Sequence, residues 1–120
     1  MYPVAPVGRV GPCKPGKRIA VPIGSTAHFS LMGALQHEGI AVGDVTIIGM
    51  KPDQIAASWE QGVIDAAWIW QPVQSELLKS GTLILGADQV AEWGFPTFDG
   101  WVVNREFGQA HKAEVVAFLK

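Results

Sequence analysis

Short runs of apolar, β-branched residues alternate with stretches of helical periodicity, and this alternation constrains the fold more than any other feature of the chain. The runs cover residues 18–22 (RIAVP), 45–48 (VTII), 65–69 (DAAWI) and 82–85 (TLIL). Between the first two, residues 25–38 carry Phe29, Leu31, Met32 and Leu35 at helical spacing and meet Gly39 as a terminator. Pro52 starts a second helix with Ile55, Ala56 and Trp59 on one face and Gly62 beyond it. Pro72 starts a third, with Val73, Leu77 and Leu78 apolar and Gly81 closing it. The order β-α-β-α-β-α-β predicts a three-layer α/β fold: a doubly wound, mainly parallel sheet with helices on both faces and right-handed crossovers. Continuously apolar strands fit, because strands of such a sheet are covered on both sides.

The ends of the chain read differently. Residues 1–16 are rich in Pro and Gly, which lack an N–H or resist ordering, and predict an irregular tail. The α/β unit is expected over residues 17–120. No continuous apolar h-region of a secretory signal stands in the tail. After residue 85 a loop rich in Trp, Gly and Pro is expected, then an extended segment at 101–103 and a helix over the last dozen residues.

With 9 Lys+Arg against 11 Asp+Glu, the chain has no basic excess with which to hold nucleic acid or an anionic membrane. A single cysteine, Cys13, excludes an internal disulfide, a multi-cysteine metal cage and CxxC redox chemistry. Neither HExxH nor an equivalent ligand spacing occurs, so no metal is expected. No Walker A or GxGxxG loop occurs either, so no nucleotide cofactor is expected.

In open α/β sheets, ligands sit beyond the carboxyl ends of the strands. The segments there are Gly24-Ser25-Thr26-Ala27-His28, Gly49-Met50-Lys51, Trp70-Gln71-Pro72 and Gly86-Ala87-Asp88. Ser25 or Thr26 falls at the N-cap of the first helix. Free N–H groups and the positive end of the helix dipole suit a carboxylate, phosphate or sulfonate there. Simple capping of the helix by its own hydroxyl is the equal alternative. His28 lies one turn further on, and by itself a lone histidine favours packing over ligation. Trp68 and Trp70 share a face of their strand; Trp68 is expected in the core and Trp70 at the rim, as an aromatic wall or as packing. Asp99, close in sequence to Trp93 and Trp101, reads first as a turn residue and second as a partner for an ammonium group. Asp65, at the far end of the sheet, is given a structural role.

GKRIAVPIGSTAHFSLMGALQHEGI, then IAASWEQGVIDAAWIWQPV, then EWGFPTFDGWVVNREF together resemble the taurine and aliphatic-sulfonate binding proteins of ABC importers, within the broader nitrate and thiamine-precursor binding group. Three such segments in order are specific where one would be weak. The resemblance runs from about residue 16 to residue 120. It implies one lobe of a type II periplasmic binding protein, truncated, whose ligand is clamped between two lobes. It implies Ser25 and Thr26 on the sulfonate side, His28 in the same motif, Trp70 as a pocket wall, and Asp99 beside Trp101 on the taurine ammonium. The implied ligand is a small anionic or zwitterionic sulfonate, the implied role non-catalytic, and the implied compartment the periplasm, with the cytoplasm left open by the tail. An ABC permease is a partner only of a complete binding protein.

Against that pattern, the strand leading into this lobe is expected to be replaced by the tail, and the first lobe is expected to be missing. Val115, Val116, Phe118 and Leu119 near the C-terminal end then lack a covering surface, which predicts self-association through this segment. A second reading is a stand-alone truncated or mobile-gene product, folded as an oligomer with lost or repurposed binding. An enzyme is the third, disfavoured because no nucleophile–base pair or cofactor lysine is apparent.

Overall fold

A computed structural model describes residues 5–8 and 16–120. Cys13 and the rest of the N-terminal segment lie outside the described residues. Arg18–Val21 (β2), Thr46–Gly49 (β3) and Ala66–Ile69 (β4) pair in parallel, β2 in the centre, with Ile19 opposite both Ile47 and Ala66. Connecting them are helices Thr26–His37 (α1) and Pro52–Glu60 (α2). A short helix, Val73–Leu78 (α3), then leads to the two-residue strand Thr82–Leu83 (β5).

Alternation along β2 and β4 divides the core into two layers, as a period of two requires. Ile19, Val21, Ala66 and Trp68 face α1, where they bury Ala27, Leu31, Ala34 and Leu35. Ala20, Ala67 and Ile69 face the other way, against Ile55 and Trp59 of α2 and Leu77 of α3. The indole N–H of Trp59 donates to Ser80 Oγ at 2.8 Å and ties α2 to the turn after α3. The layers are therefore helix, sheet, helix, as the sequence pattern predicts.

The expected irregular tail is corrected in one place. Residues Ala5–Gly8 form a strand (β1) that enters the sheet antiparallel, between β4 and β5, giving the order β3-β2-β4-β1-β5. A proline in a strand normally argues for an edge. Here β5 reaches only Val7 and Gly8, so Pro6 has its paired neighbour on the β4 side alone, opposite Trp68. The missing N–H is tolerated where one flank is open.

Past β5 the chain leaves the sheet earlier than expected, at Ile84. The expected loop contains a helix, Ala87–Glu92 (α4), whose buried Val90 joins the α1 layer. Residues 101–103 carry no strand pairing. Two further helices follow, Arg105–Ala110 (α5) and Lys112–Leu119 (α6); they pack chiefly on each other and contain no buried residue. No helix among the described residues is long and apolar enough to cross a membrane.

Candidate functional site

β2, β3 and β4 run in parallel, so their carboxyl ends share one edge of the sheet, and each strand hands the chain to a helix there. At the end of β2 the chain turns tightly through Pro22, Ile23 and Gly24. Gly24 holds φ at +79°, a conformation that side chains rarely adopt. Ser25 follows as the N-cap of α1. Its Oγ accepts the N–H of His28 at 3.3 Å and donates to the carbonyl of Pro22 at 2.5 Å. Its own carbonyl accepts the N–H of Phe29 at 3.2 Å. Helix geometry leaves the N–H groups of Thr26 and Ala27 without an intrahelical acceptor. Capping by Ser25 is thus real, and it does not use up the donors of the first turn.

His28 is half-buried, and its Nδ1 accepts the N–H of Gly24 at 3.2 Å. In the neutral ring this places the proton on Nε2, as a donor. Turn, cap and imidazole form one unit: Gly24 supplies the N–H that sets the ring, and Ser25 supplies the oxygen that sets the helix start. Exposed Thr26 adds a hydroxyl at the first helical position. The group is rich in donors and lies at the positive end of a twelve-residue helix. Chemically it can receive an oxyanion.

Trp70 follows β4 at the same edge. It is half-buried and packs against both core layers, so its ring covers the sheet end rather than projecting free. Gln71, beside it, accepts from the Ser75 N–H at 3.2 Å and gives its amide N–H to Gln74 at 3.1 Å, steadying the start of α3. The Gln71–Pro72 peptide bond is cis.

The other two candidates make no hydrogen bond or ring contact with this group among the described residues. Asp99 is exposed and has no hydrogen-bond or ion-pair partner among the described residues. Trp101 is 78% exposed, and its ring meets Phe118 of α6 edge-on, with centroids 5.3 Å apart. Among the described residues no ring contact or hydrogen bond joins either of them to Ser25, His28 or Trp70. The structure brings Ser25, Thr26, His28 and Trp70 to one edge and leaves Asp99 and Trp101 on the segment leading to the C-terminal helices.

Sequence reasoning missed how that segment is anchored. A Cβ on Gly33, in the middle of α1, would fall 2.7 Å from Phe95 Cβ and 2.8 Å from Phe95 Cδ1, so only glycine lets the ring lie on the helix. Phe95 also meets Phe29 edge-on at 6.2 Å. Nearby, His37 stacks on Trp93 at 3.8 Å, nearly parallel. The glycine within an otherwise strong helix is the signal that could have revealed the first contact. Two buried polar atoms, Ser30 Oγ and Trp68 Nε1, have no hydrogen-bond partner among the described residues.

The perturbed ion pair lies elsewhere, at the opposite end of β2 and β4. Asp65 accepts the side chain of Arg18 at Nε (3.1 Å) and Nη2 (3.1 Å), and the Arg18 backbone N–H at 2.9 Å. These bonds, the guanidinium's first, hold the Asp65 carboxyl down at about 2. The structural role expected for Asp65 is therefore its geometry.

The family model described as NMT1/THI5 like matches residues 15–120. The taurine-binding periplasmic protein of Escherichia coli K12 is 47% identical over 105 residues, 88% of this chain and 33% of its own length. Among solved structures, the periplasmic aliphatic sulphonate binding protein SsuA of E. coli superposes with a TM-score of 0.78 at 24% identity, over 98% of this chain and 42% of that one. The alkanesulfonate-binding protein SsuA of Xanthomonas axonopodis pv. citri, bound to MOPS, does so with a TM-score of 0.78 at 25% identity, over the same shares. The chain thus spans about a third of the length of the taurine-binding relative it matches. The fold is that of the periplasmic binding proteins, and the chain belongs to the NMT1/THI5-like family.

Proposed function

We propose that this chain is a ligand-binding lobe of an ABC-importer solute-binding protein for taurine or a related sulfonate, with no catalytic role. The observation that carries this reading is the 47% identity to a taurine-binding periplasmic protein over 105 residues, which include the whole Gly24–His28 turn segment by position in the matched family region. The donor group at the start of α1 supports it chemically. A sulfonate is a permanent anion with three acceptor oxygens; the N–H groups of Thr26 and Ala27, the Thr26 hydroxyl and the Nε2–H of His28 are complementary donors. Trp70 serves as the wall at that edge. Asp99 is assigned to the ammonium of taurine, with Trp101 as its aromatic neighbour in sequence.

A non-catalytic role agrees with how the polar groups are used. The Ser25 hydroxyl donates to the Pro22 carbonyl, and His28 Nδ1 takes a backbone N–H, so the two do not form a nucleophile–base pair. The reading puts the chain in the periplasm, as the compartment of its relatives, and assigns an ABC permease as partner to the complete binding protein. One lobe supplies part of a clamped site, so its own affinity is weak, with Kd on the order of 1 mM, or about 4 kcal/mol of binding free energy.

Calorimetric titration with taurine, ethanesulfonate and ethanolamine tests the proposal. Saturable heat with both sulfonates and none with ethanolamine supports it. Equal heat with all three, or none with any, contradicts it.

A further inference from the structure

We propose that a cavity inside the α1 layer is a second small-molecule site, which takes a neutral, mostly apolar compound carrying a hydrogen-bond acceptor. The inference stands on this cavity and does not rest on the sulfonate reading. The cavity measures about 260 Å³. Its walls come from α1 (Leu31, Leu35), β4 (Trp68), the chain just past β5 (Leu85) and α4 with its end (Trp93). It lies toward the C-terminal end of α1, whereas Ser25, Thr26 and His28 stand at the start of that helix.

This is a space within the packed body rather than an open face. Leu31, Leu35 and Trp68 are at most 3% exposed. The wall opposite α1 is pinned to that helix: Phe95 rests on Gly33, and the Trp93 ring is stacked on His37 at 3.8 Å. Among the described residues none beyond Trp93 lines the cavity, so the C-terminal helices take no part in it. Cavities cost stability in proportion to their volume, so an occupant that restores contact is bound favourably. An aliphatic cavity of ~150 Å³ holds benzene. The larger one here has room for an aromatic ring with a short side chain.

The polar groups of the walls select the occupant. Trp68 Nε1 is buried and has no hydrogen-bond partner among the described residues. An indole N–H donates and cannot accept, so it calls for an acceptor. A buried donor left unpaired is costly, which favours an occupant that supplies one. Water is a poor occupant, because it needs about two to four polar partners, and the other polar lining residues, Glu38 and Gln89, are exposed. Glu38 is the one charged residue among the described lining, and no cation stands beside it there. Anions, sulfonates included, are therefore disfavoured. A ketone, ester or ether oxygen on an apolar body satisfies the walls and the N–H together.

Titration of the isotopically labelled chain with acetophenone and with α-methylstyrene, each to about 1 mM, tests this. The two compounds share a shape, and only the ketone accepts a hydrogen bond. Both should shift the Leu31 and Leu35 methyl resonances saturably. Acetophenone alone should move the Trp68 indole proton downfield. Taurine at the same concentration should leave these resonances in place. Trp68→Phe should weaken acetophenone by about two- to ten-fold, the range of a net hydrogen bond, and spare α-methylstyrene. The wild-type comparison decides the matter even where that variant does not fold. Leu31 and Leu35 methyls that ignore both probes overturn the proposal. So does an indole proton that answers both alike, or shifts confined to Trp101 and residues 112–119.

Discussion

Arg18 and Asp65 bind each other across the starts of two adjacent parallel strands, with the carboxylate accepting both the side chain and the backbone N–H of the arginine. The Asp65 N–H returns a bond to the Arg18 carbonyl at 2.9 Å. Two residues far apart in sequence thereby fix the register of β2 on β4, and with it the spacing of the Ser25 and Trp70 segments at the opposite edge. The pair is partly exposed, which limits its strength through solvent screening.

The Asp65 carboxyl sits at about 2 in the folded chain. In the unfolded chain an aspartate titrates near ~3.9. The folded state therefore binds this proton less readily, and the stabilisation is complete above the unfolded value. It is lost as pH falls through ~4 toward about 2. The urea midpoint of Asp65→Asn should lie below that of the wild type by a constant amount above about pH 5, and the gap should shrink on acidification. A gap that does not change with pH would show that the carboxylate's charge is not what holds the strands. Sulfonate binding at neutral pH should survive the substitution, because the pair is remote from the donor group.

Ser25→Ala removes the cap oxygen from the His28 N–H and the hydroxyl from the Pro22 carbonyl. Loss of an N-cap costs about 0.5–2 kcal/mol, to be read as a lowered urea midpoint. Binding of taurine and of ethanesulfonate should fall together, because the cap sets the helix start that faces either sulfonate. Loss of one ligand and retention of the other would be inconsistent with a shared oxyanion position.

Gly33→Ala sets two opposed effects against each other. Alanine is favoured over glycine in a helix by about 0.5–1 kcal/mol. The added Cβ, however, overlaps the Phe95 ring, and overpacking of this kind costs about 1–3 kcal/mol. Net destabilisation is expected in the wild type. In a Phe95→Ala background the same change should be neutral or stabilising, a non-additivity that a double-mutant cycle measures directly. Additive behaviour would mean that the ring does not rest on Gly33.

Asp99→Asn should weaken taurine by up to about five-fold and leave ethanesulfonate unchanged, the most that an exposed ion pair of ~0.2–1 kcal/mol allows. Equal losses for both ligands would remove the carboxylate from any ammonium contact.

How far the chain could be read in advance differs from element to element. α1, α2 and α3 were legible because proline or a hydroxyl opens each one and glycine closes it, and β2 to β4 because β-branched and small apolar residues cluster between them. Whether Ser25 caps or binds was not legible, since both uses need the same hydroxyl at the same place; the Gly24–His28 bond emerges only in three dimensions. β1 was hidden by its proline, whose tolerance depends on β5 being two residues long. α4 was hidden because Gly86 opens it without a side-chain cap and only six residues follow. The ligand roles of Asp99 and Trp101 come from the resemblance alone, and the contact of the Trp101 ring with Phe118, seventeen residues further on, was not legible in the sequence. Periodicity reports which face is buried, not which distant residue covers it.

The most direct measurement is a titration of the uniformly labelled chain with taurine, followed by the backbone amide and indole resonances. If the α1 donor group receives the sulfonate, the amides of Thr26, Ala27 and His28 and the Trp70 indole shift saturably, in parallel, with Kd on the order of 1 mM. If those resonances stay fixed up to tens of millimolar taurine while the spectrum remains that of a folded chain, the start of α1 is a capped helix and not a sulfonate site.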